Sequence, residues 1–98
     1  MKANSLIINA RKISDEHSPY IIAEVSANHN GSIVRAKEII LAARNAGVDA
    51  VKIQTYTPET MTIDINMPDF LINDGLWKGR SLYDLYSEAY TPFEWHKE

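Results

Sequence analysis

Residues 20–56, YIIAEVSANHNGSIVRAKEIILAARNAGVDAVKIQTY, decide the fold. The opening YIIAEVS is a compact apolar run with β-branched members, set between Pro19 and a polar cluster, and predicts a buried strand over 20–26. ANHNGS follows as a loop. Ser32 is placed to cap a helix, because its hydroxyl can accept from an N–H that the first turn leaves without a partner. Ile33, Ala36, Ile39, Ile40, Ala43 and Ala46 then recur at helical spacing, with Arg35, Lys37, Glu38 and Arg44 mostly outward. Gly47 suits the left-handed position just past a helix end. AVKIQTY, residues 50–56, reads as a second strand. Strand, helix and strand in this order form a βαβ unit, whose strands run parallel and whose crossover is right-handed.

Parallel strands are covered on both faces and should be apolar throughout. Two strands depart from that near their C-terminal ends: the first at Glu24, and the second at Lys52 and Gln54. The period of two puts Lys52 and Gln54 on one face, while Val51 and Ile53 meet the helix on the other. Open α/β sheets and α/β barrels place their sites at that rim. A lysine there is a point charge for carboxylate or phosphate, and a carboxylate can orient or deprotonate a hydroxyl or water. The same pattern also fits an ion pair that merely braces two adjacent strands, with Gln54 satisfying a loop.

In the loop, Asn28 and His29 could contact a ligand at the helix start; equally, Asn30 and Gly31 could simply supply turn geometry. No second histidine lies at ligand spacing from His29, and His17 and His96 read as surface or helix-start residues.

Outward from this core, SLIINARKIS is a short strand or hairpin arm, and DEHSP a turn. Residues 57–80 hold two prolines, two glycines and no sustained periodicity, which predicts a long irregular excursion of functional character. Within it Trp77 is suited to covering a ligand. SLYDLYSEAY is helical, with Ser81 and Asp84 at capping-box spacing and Leu82, Leu85, Tyr86 and Ala89 on one face. Thr91, Pro92 and Glu94 form a helix start signal, which suggests the N-terminal part of a longer protein.

The totals narrow the function classes. The chain has 98 residues, 45% of them apolar and 23% charged, the balance of a globular domain. A net charge of −3 without a basic stripe argues against nucleic acid. There is no cysteine, hence no disulfide framework, and no run approaches membrane-span length, so a cytoplasmic location is expected. Neither a G-x-G-x-x-G nor a GK[ST] motif is present to cradle nucleotide phosphates.

YIIAEVSANHNGS followed by AARNAGVDAVKIQTYTPETMT resembles the opening of the sialic acid synthase family. EVSANHNG, KIQTYTPE, GLWKGRSLYDLY and EAYTPFEWH are similar to its pseudaminate branch; the N-acetylneuraminate branch more usually shows Ile-Gly where this chain has Val25 and Ser26. The similarity runs from about residue 19 to the last residue.

The resemblance implies that residues 1–98 are a partial catalytic domain, the N-terminal βαβα portion of a TIM (β/α)8 barrel that is incomplete in this chain. It further implies condensation of phosphoenolpyruvate with an acetamido sugar, a divalent metal (Mn2+ or Mg2+) whose ligands lie outside this chain, a C-terminal antifreeze-like domain, and a homodimer of the longer protein. Carried over by position, Glu24 and Lys52 are catalytic. Lys52 binds phosphoenolpyruvate, Gln54 holds the sugar, and Asn28 faces the same mouth. Against this stand a non-catalytic α/β interaction module braced by Glu24 and Lys52, and an aldolase-type lyase using Lys52 as a Schiff base.

Overall fold

The structure is a computed structural model and describes residues 4–98, so the first three residues of the expected 1–98 unit lie outside the described residues. Strands β1 (Leu6–Ile8) and β2 (Arg11–Ile13) form an antiparallel hairpin in which Ile8 opposes Arg11. Asn9 and Ala10 join them with φ of 49° and 64°. Positive φ at both central residues is the mark of a type I′ turn, whose twist matches that of the flanking strands.

Strand β3 (Ile22–Glu24), helix α1 (Ile33–Asn45) and strand β4 (Ala50–Lys52) make the expected βαβ unit. Its strands are parallel, with Ile22 opposite Ala50, Ala23 opposite Val51 and Glu24 opposite Lys52. The Ser32 hydroxyl accepts from the Arg35 N–H at 3.2 Å and caps α1. At the other end the Gly47 N–H reaches the Arg44 carbonyl and the Val48 N–H the Ala43 carbonyl. This is the two-bond Schellman arrangement, and Gly47 takes its left-handed position at φ 89°.

Both strands are shorter than 20–26 and 50–56. Backbone pairing continues only to the Val25 N–H, which donates to the Lys52 carbonyl at 3.0 Å. Ladder length depends on neighbouring strands, and β3 and β4 form a two-stranded sheet. The expectation that the first strand is buried also fails for part of its length: Ile22 is 53% exposed, whereas Val25 is buried. Helix α1 covers one face of the sheet, where Val25 and Ile53 border a groove of about 410 Å³ with Ile33, Ile40 and Trp95. The face bearing Ile22 is bare.

Asp49 ties the hairpin to this unit. One carboxylate oxygen pairs with Arg11, and the other accepts from the Ile21 N–H at 2.8 Å. The same guanidinium donates to the Pro19 carbonyl at 3.0 Å and lies over the Tyr20 ring.

The 57–80 excursion is more ordered than its composition suggests. It begins with a short helix α2 (Pro58–Met61), where Pro58 occupies the first helical position, and includes a 3₁₀ turn at Pro68–Phe70. Residues 72–80 close a loop through reciprocal bonds between Ile72 and the Gly79–Arg80 backbone, beside a bridge from Leu71 to Ser81. Helix α3 (Leu82–Ala89) is capped by Ser81, whose hydroxyl accepts from the Asp84 N–H at 3.1 Å. It packs chiefly on α2.

The helix start expected at Thr91 is a 3₁₀ helix at Phe93–Lys97, with no side-chain cap. Pro92 takes ψ 142° and remains outside it, so Thr91 is released from capping and turns inward. Among the described residues no helix is long and apolar enough to cross a membrane.

Candidate functional site

The parallel register sets Glu24 beside Lys52 at the C-terminal ends of β3 and β4. Lys52 Nζ lies 3.1 Å from Glu24 Oε1. Both side chains are about half exposed, Lys52 at 52% and Glu24 at 55%, so the pair is hydrated rather than buried as the parallel-sheet argument expected. The reason is the bare sheet face: side chains at Ile22, Glu24, Ala50 and Lys52 point away from α1 into open space. An ammonium has three N–H donors and a carboxylate several acceptor sites. One contact joins the two groups, and the rest of their capacity has no protein partner among the described residues. Such a pair can receive an anion at the lysine while the carboxylate orients a hydroxyl or water beside it.

Gln54 lies two residues beyond Lys52 with its side chain exposed. Its carbonyl accepts from the Thr91 N–H at 2.8 Å, which fixes its backbone to the segment after α3. Asn28 is on the loop after β3. Its side-chain amide donates to the Val25 carbonyl at 2.9 Å, and its own carbonyl accepts from Arg35 Nε at 2.7 Å. The structure therefore brings Glu24 and Lys52 into contact, leaves the Gln54 side chain without a partner among the described residues, and commits the Asn28 amide to bracing its own loop.

His29 is turned into the protein rather than toward a ligand at the helix start. It is fully buried, its Nδ1 accepts from the Gly31 N–H at 3.0 Å, and its Nε2 faces the Thr91 hydroxyl at 3.4 Å. The ring meets Trp95 edge to face at 5.0 Å. Burial lowers its pKa from the ordinary 6.5, because the charged form loses hydration. Asn30 and Gly31 do supply turn geometry, with φ of 50° and 71°. Ser26 joins them in the left-handed region at φ 49°, directly after the buried Val25.

Trp77 carries the Arg80 guanidinium over its ring at 5.1 Å, and Arg80 also pairs with Glu88. Two further contacts were not legible in spacing: Thr55 Oγ1 with His96 Nε2 at 2.7 Å, and the Tyr83 hydroxyl donating to Glu59. The second holds the Glu59 carboxyl below its usual range and raises the Tyr83 hydroxyl. Among the described residues, no group of three His, Cys, Asp or Glu side chains is placed to hold a metal ion, so the donor set does not fit a divalent cation.

The NeuB family model matches residues 39–98, which includes Lys52 and Gln54 but begins after Glu24 and Asn28. The chain is 54% identical over 79 residues to the pseudaminic acid synthase of Campylobacter jejuni, covering 81% of this chain and 23% of that protein. It is 49% identical over 80 residues to the pseudaminic acid synthase of Helicobacter pylori, covering 82% and 24%. To the N,N'-diacetyllegionaminic acid synthase of Legionella pneumophila it is 39% identical over 61 residues, covering 62% and 17%. The chain thus spans about a quarter of the length of the pseudaminic acid synthases it matches.

Proposed function

The chain belongs to the NeuB family, and from that premise we propose that it forms the N-terminal part of the (β/α)8 barrel of a pseudaminic acid synthase. The longer protein condenses phosphoenolpyruvate with 2,4-diacetamido-2,4,6-trideoxy-altrose to give pseudaminic acid and phosphate. The observation that carries this reading is the 54% identity to a pseudaminic acid synthase over four-fifths of the chain. The parallel β3–β4 pair, with Glu24 beside Lys52 at the rim where barrels bind ligands, is consistent with it.

In this proposal the Lys52 ammonium holds the phosphoenolpyruvate anion and Gln54 hydrogen-bonds the sugar. C3 of phosphoenolpyruvate forms a bond to the sugar aldehyde carbon, whose oxygen takes up a proton. Water adds at C2 and loses its proton to a base, and the C2–O bond to phosphate then breaks, so that phosphate leaves with its bridging oxygen. Glu24 lies beside the anion site, where it orients that water or a sugar hydroxyl and can accept the proton. Asn28 supports the mouth through its loop, with its amide turned to Val25. The longer protein would hold a divalent cation, Mn2+ or Mg2+, through residues outside this chain. A homodimer of the longer protein, in the cytoplasm, completes the reading.

The test offers the full-length protein phosphoenolpyruvate together with the altrose sugar, with the stereoisomer that leads to legionaminic acid, and with the precursor of N-acetylneuraminate. Mass and NMR identification of the product should show pseudaminic acid formed fastest, with one phosphate released per product. The 39% identity to the Legionella enzyme favours legionaminic acid as the second reading, and faster turnover of its precursor would select it. Absence of any nonulosonic acid would leave the non-catalytic module.

A further inference from the structure

The proposed chemistry leaves one buried titratable side chain unused. His29 has no exposed surface, and its two ring nitrogens face different parts of the chain. The Gly31 N–H can only donate, so Nδ1 carries the lone pair and the proton resides on Nε2, toward the Thr91 hydroxyl. Thr91 is itself buried, and its backbone N–H holds the Gln54 carbonyl at 2.8 Å. On the other side of His29, the Asn28 amide and N–H both converge on the Val25 carbonyl. The loop after β3 and the segment after α3 therefore meet at the imidazole, and the Thr91 backbone joins them to Gln54 just beyond β4.

We propose that His29 is a positioning residue of the substrate mouth, clamping the loop after β3 onto Thr91 and so setting where Asn28 and Gln54 stand. The proposal rests on the functional reading above, in which Gln54 meets the sugar. The clamp requires the neutral ring. Protonation would put hydrogen on Nδ1 and turn the Gly31 contact into one donor facing another. Lys37 and Arg44 of α1 and Glu98 beyond the 3₁₀ helix line the groove next to His29, with Lys37 paired to Glu98 at 3.1 Å. No carboxylate contacts the ring to stabilise an imidazolium among the described residues.

The test uses the full-length protein with Thr91→Val, which removes the hydroxyl and keeps the backbone N–H, Thr91→Ser, which restores the hydroxyl, and His29→Gln. In Thr91→Val and His29→Gln the KM for the sugar should rise about tenfold, the cost of a misplaced contact, with a smaller change in kcat. Thr91→Ser should return the KM to near the wild-type value. The wild-type KM should also rise as pH falls through the folded pKa of His29, which burial holds below the ordinary 6.5, and this acid limb should vanish in His29→Gln. A lowered thermal midpoint with unchanged KM in both variants would overturn the proposal, as would an acid limb in the wild-type KM that persists unchanged in His29→Gln. The side-chain amide resonances of Gln54 and Asn28 read the clamp without turnover. They should shift in Thr91→Val and return in Thr91→Ser, and unmoved resonances would overturn the clamp. Wild-type protein that makes no product while these resonances shift as expected would instead count against the functional reading.

Discussion

Lys52 and Glu24 form an ion pair of 3.1 Å with about half of each side chain in water. A pair in that environment contributes about 0–1 kcal/mol to stability, because the surrounding water screens the attraction. Glu24→Gln in the longer protein should therefore move the urea midpoint by less than about 1 kcal/mol equivalent while depressing turnover. Ser26 presents the opposite case. Its φ of 49° is a conformation that a Cβ disfavours, so Ser26→Gly should stabilise the protein by about 0.5–1 kcal/mol, read by urea denaturation. Strain of this kind is tolerated where the neighbouring structure holds it, and Ser26 lies between buried Val25 and the loop of His29.

His29 adds a pH dependence with a defined sign. Its folded pKa is depressed below 6.5, so the unfolded chain binds more protons between those two values and stability rises with pH across that window. The contribution is fully present above 6.5 and is lost as pH falls through the folded pKa. Unfolding midpoints measured against pH should show this slope in wild type, and His29→Gln should lack it.

Helix α1 is the element whose limits were readable from residues alone. A cap depends on one side chain and a few neighbouring backbone groups, and Ser32 and Gly47 supply both ends locally. Ser32→Ala and Gly47→Ala should each cost about 1 kcal/mol, the first by leaving an N–H without a partner and the second by placing a Cβ at φ 89°. Equilibrium unfolding of the two variants checks this, and the effects should add. Strand ends were not readable in the same way, since Ile53 and Thr55 alternate correctly, yet the ladder stops at Lys52. Thr91 had the residue types of a cap and lost the role to Pro92, whose extended backbone begins the 3₁₀ helix one residue later than the pattern implied. Whether Glu24, Lys52 and Gln54 meet substrate was equally beyond periodicity: alternation assigns a face, while the register that sets Glu24 against Lys52 is a tertiary fact.

Across the whole molecule, the radius of gyration is 17.6 Å, against about 12–13 Å for a compact domain of this length. The accessible surface is 7644 Å², where a compact monomer of this mass exposes about 5,700 Å². Ile22, Leu41 and Phe93 contribute to that excess, each more than half exposed. The sheet face bearing Ile22 and the groove beside α1 are open in the described residues, as the proposed reading of the chain as part of a larger barrel expects. The isolated 98-residue chain should bind a hydrophobic dye and show low protection in hydrogen exchange; full protection throughout α1 and the β3–β4 pair would oppose this. The proposed hold of Lys52 on phosphoenolpyruvate underlies the assignment to a pseudaminic acid synthase. It is tested most directly by steady-state turnover of the full-length protein and its Lys52→Ala variant on the altrose sugar at saturating phosphoenolpyruvate. Wild type should form pseudaminic acid, and the variant should lose turnover by about 10³-fold or more with its fold retained. Wild-type-like turnover in folded Lys52→Ala would contradict that hold.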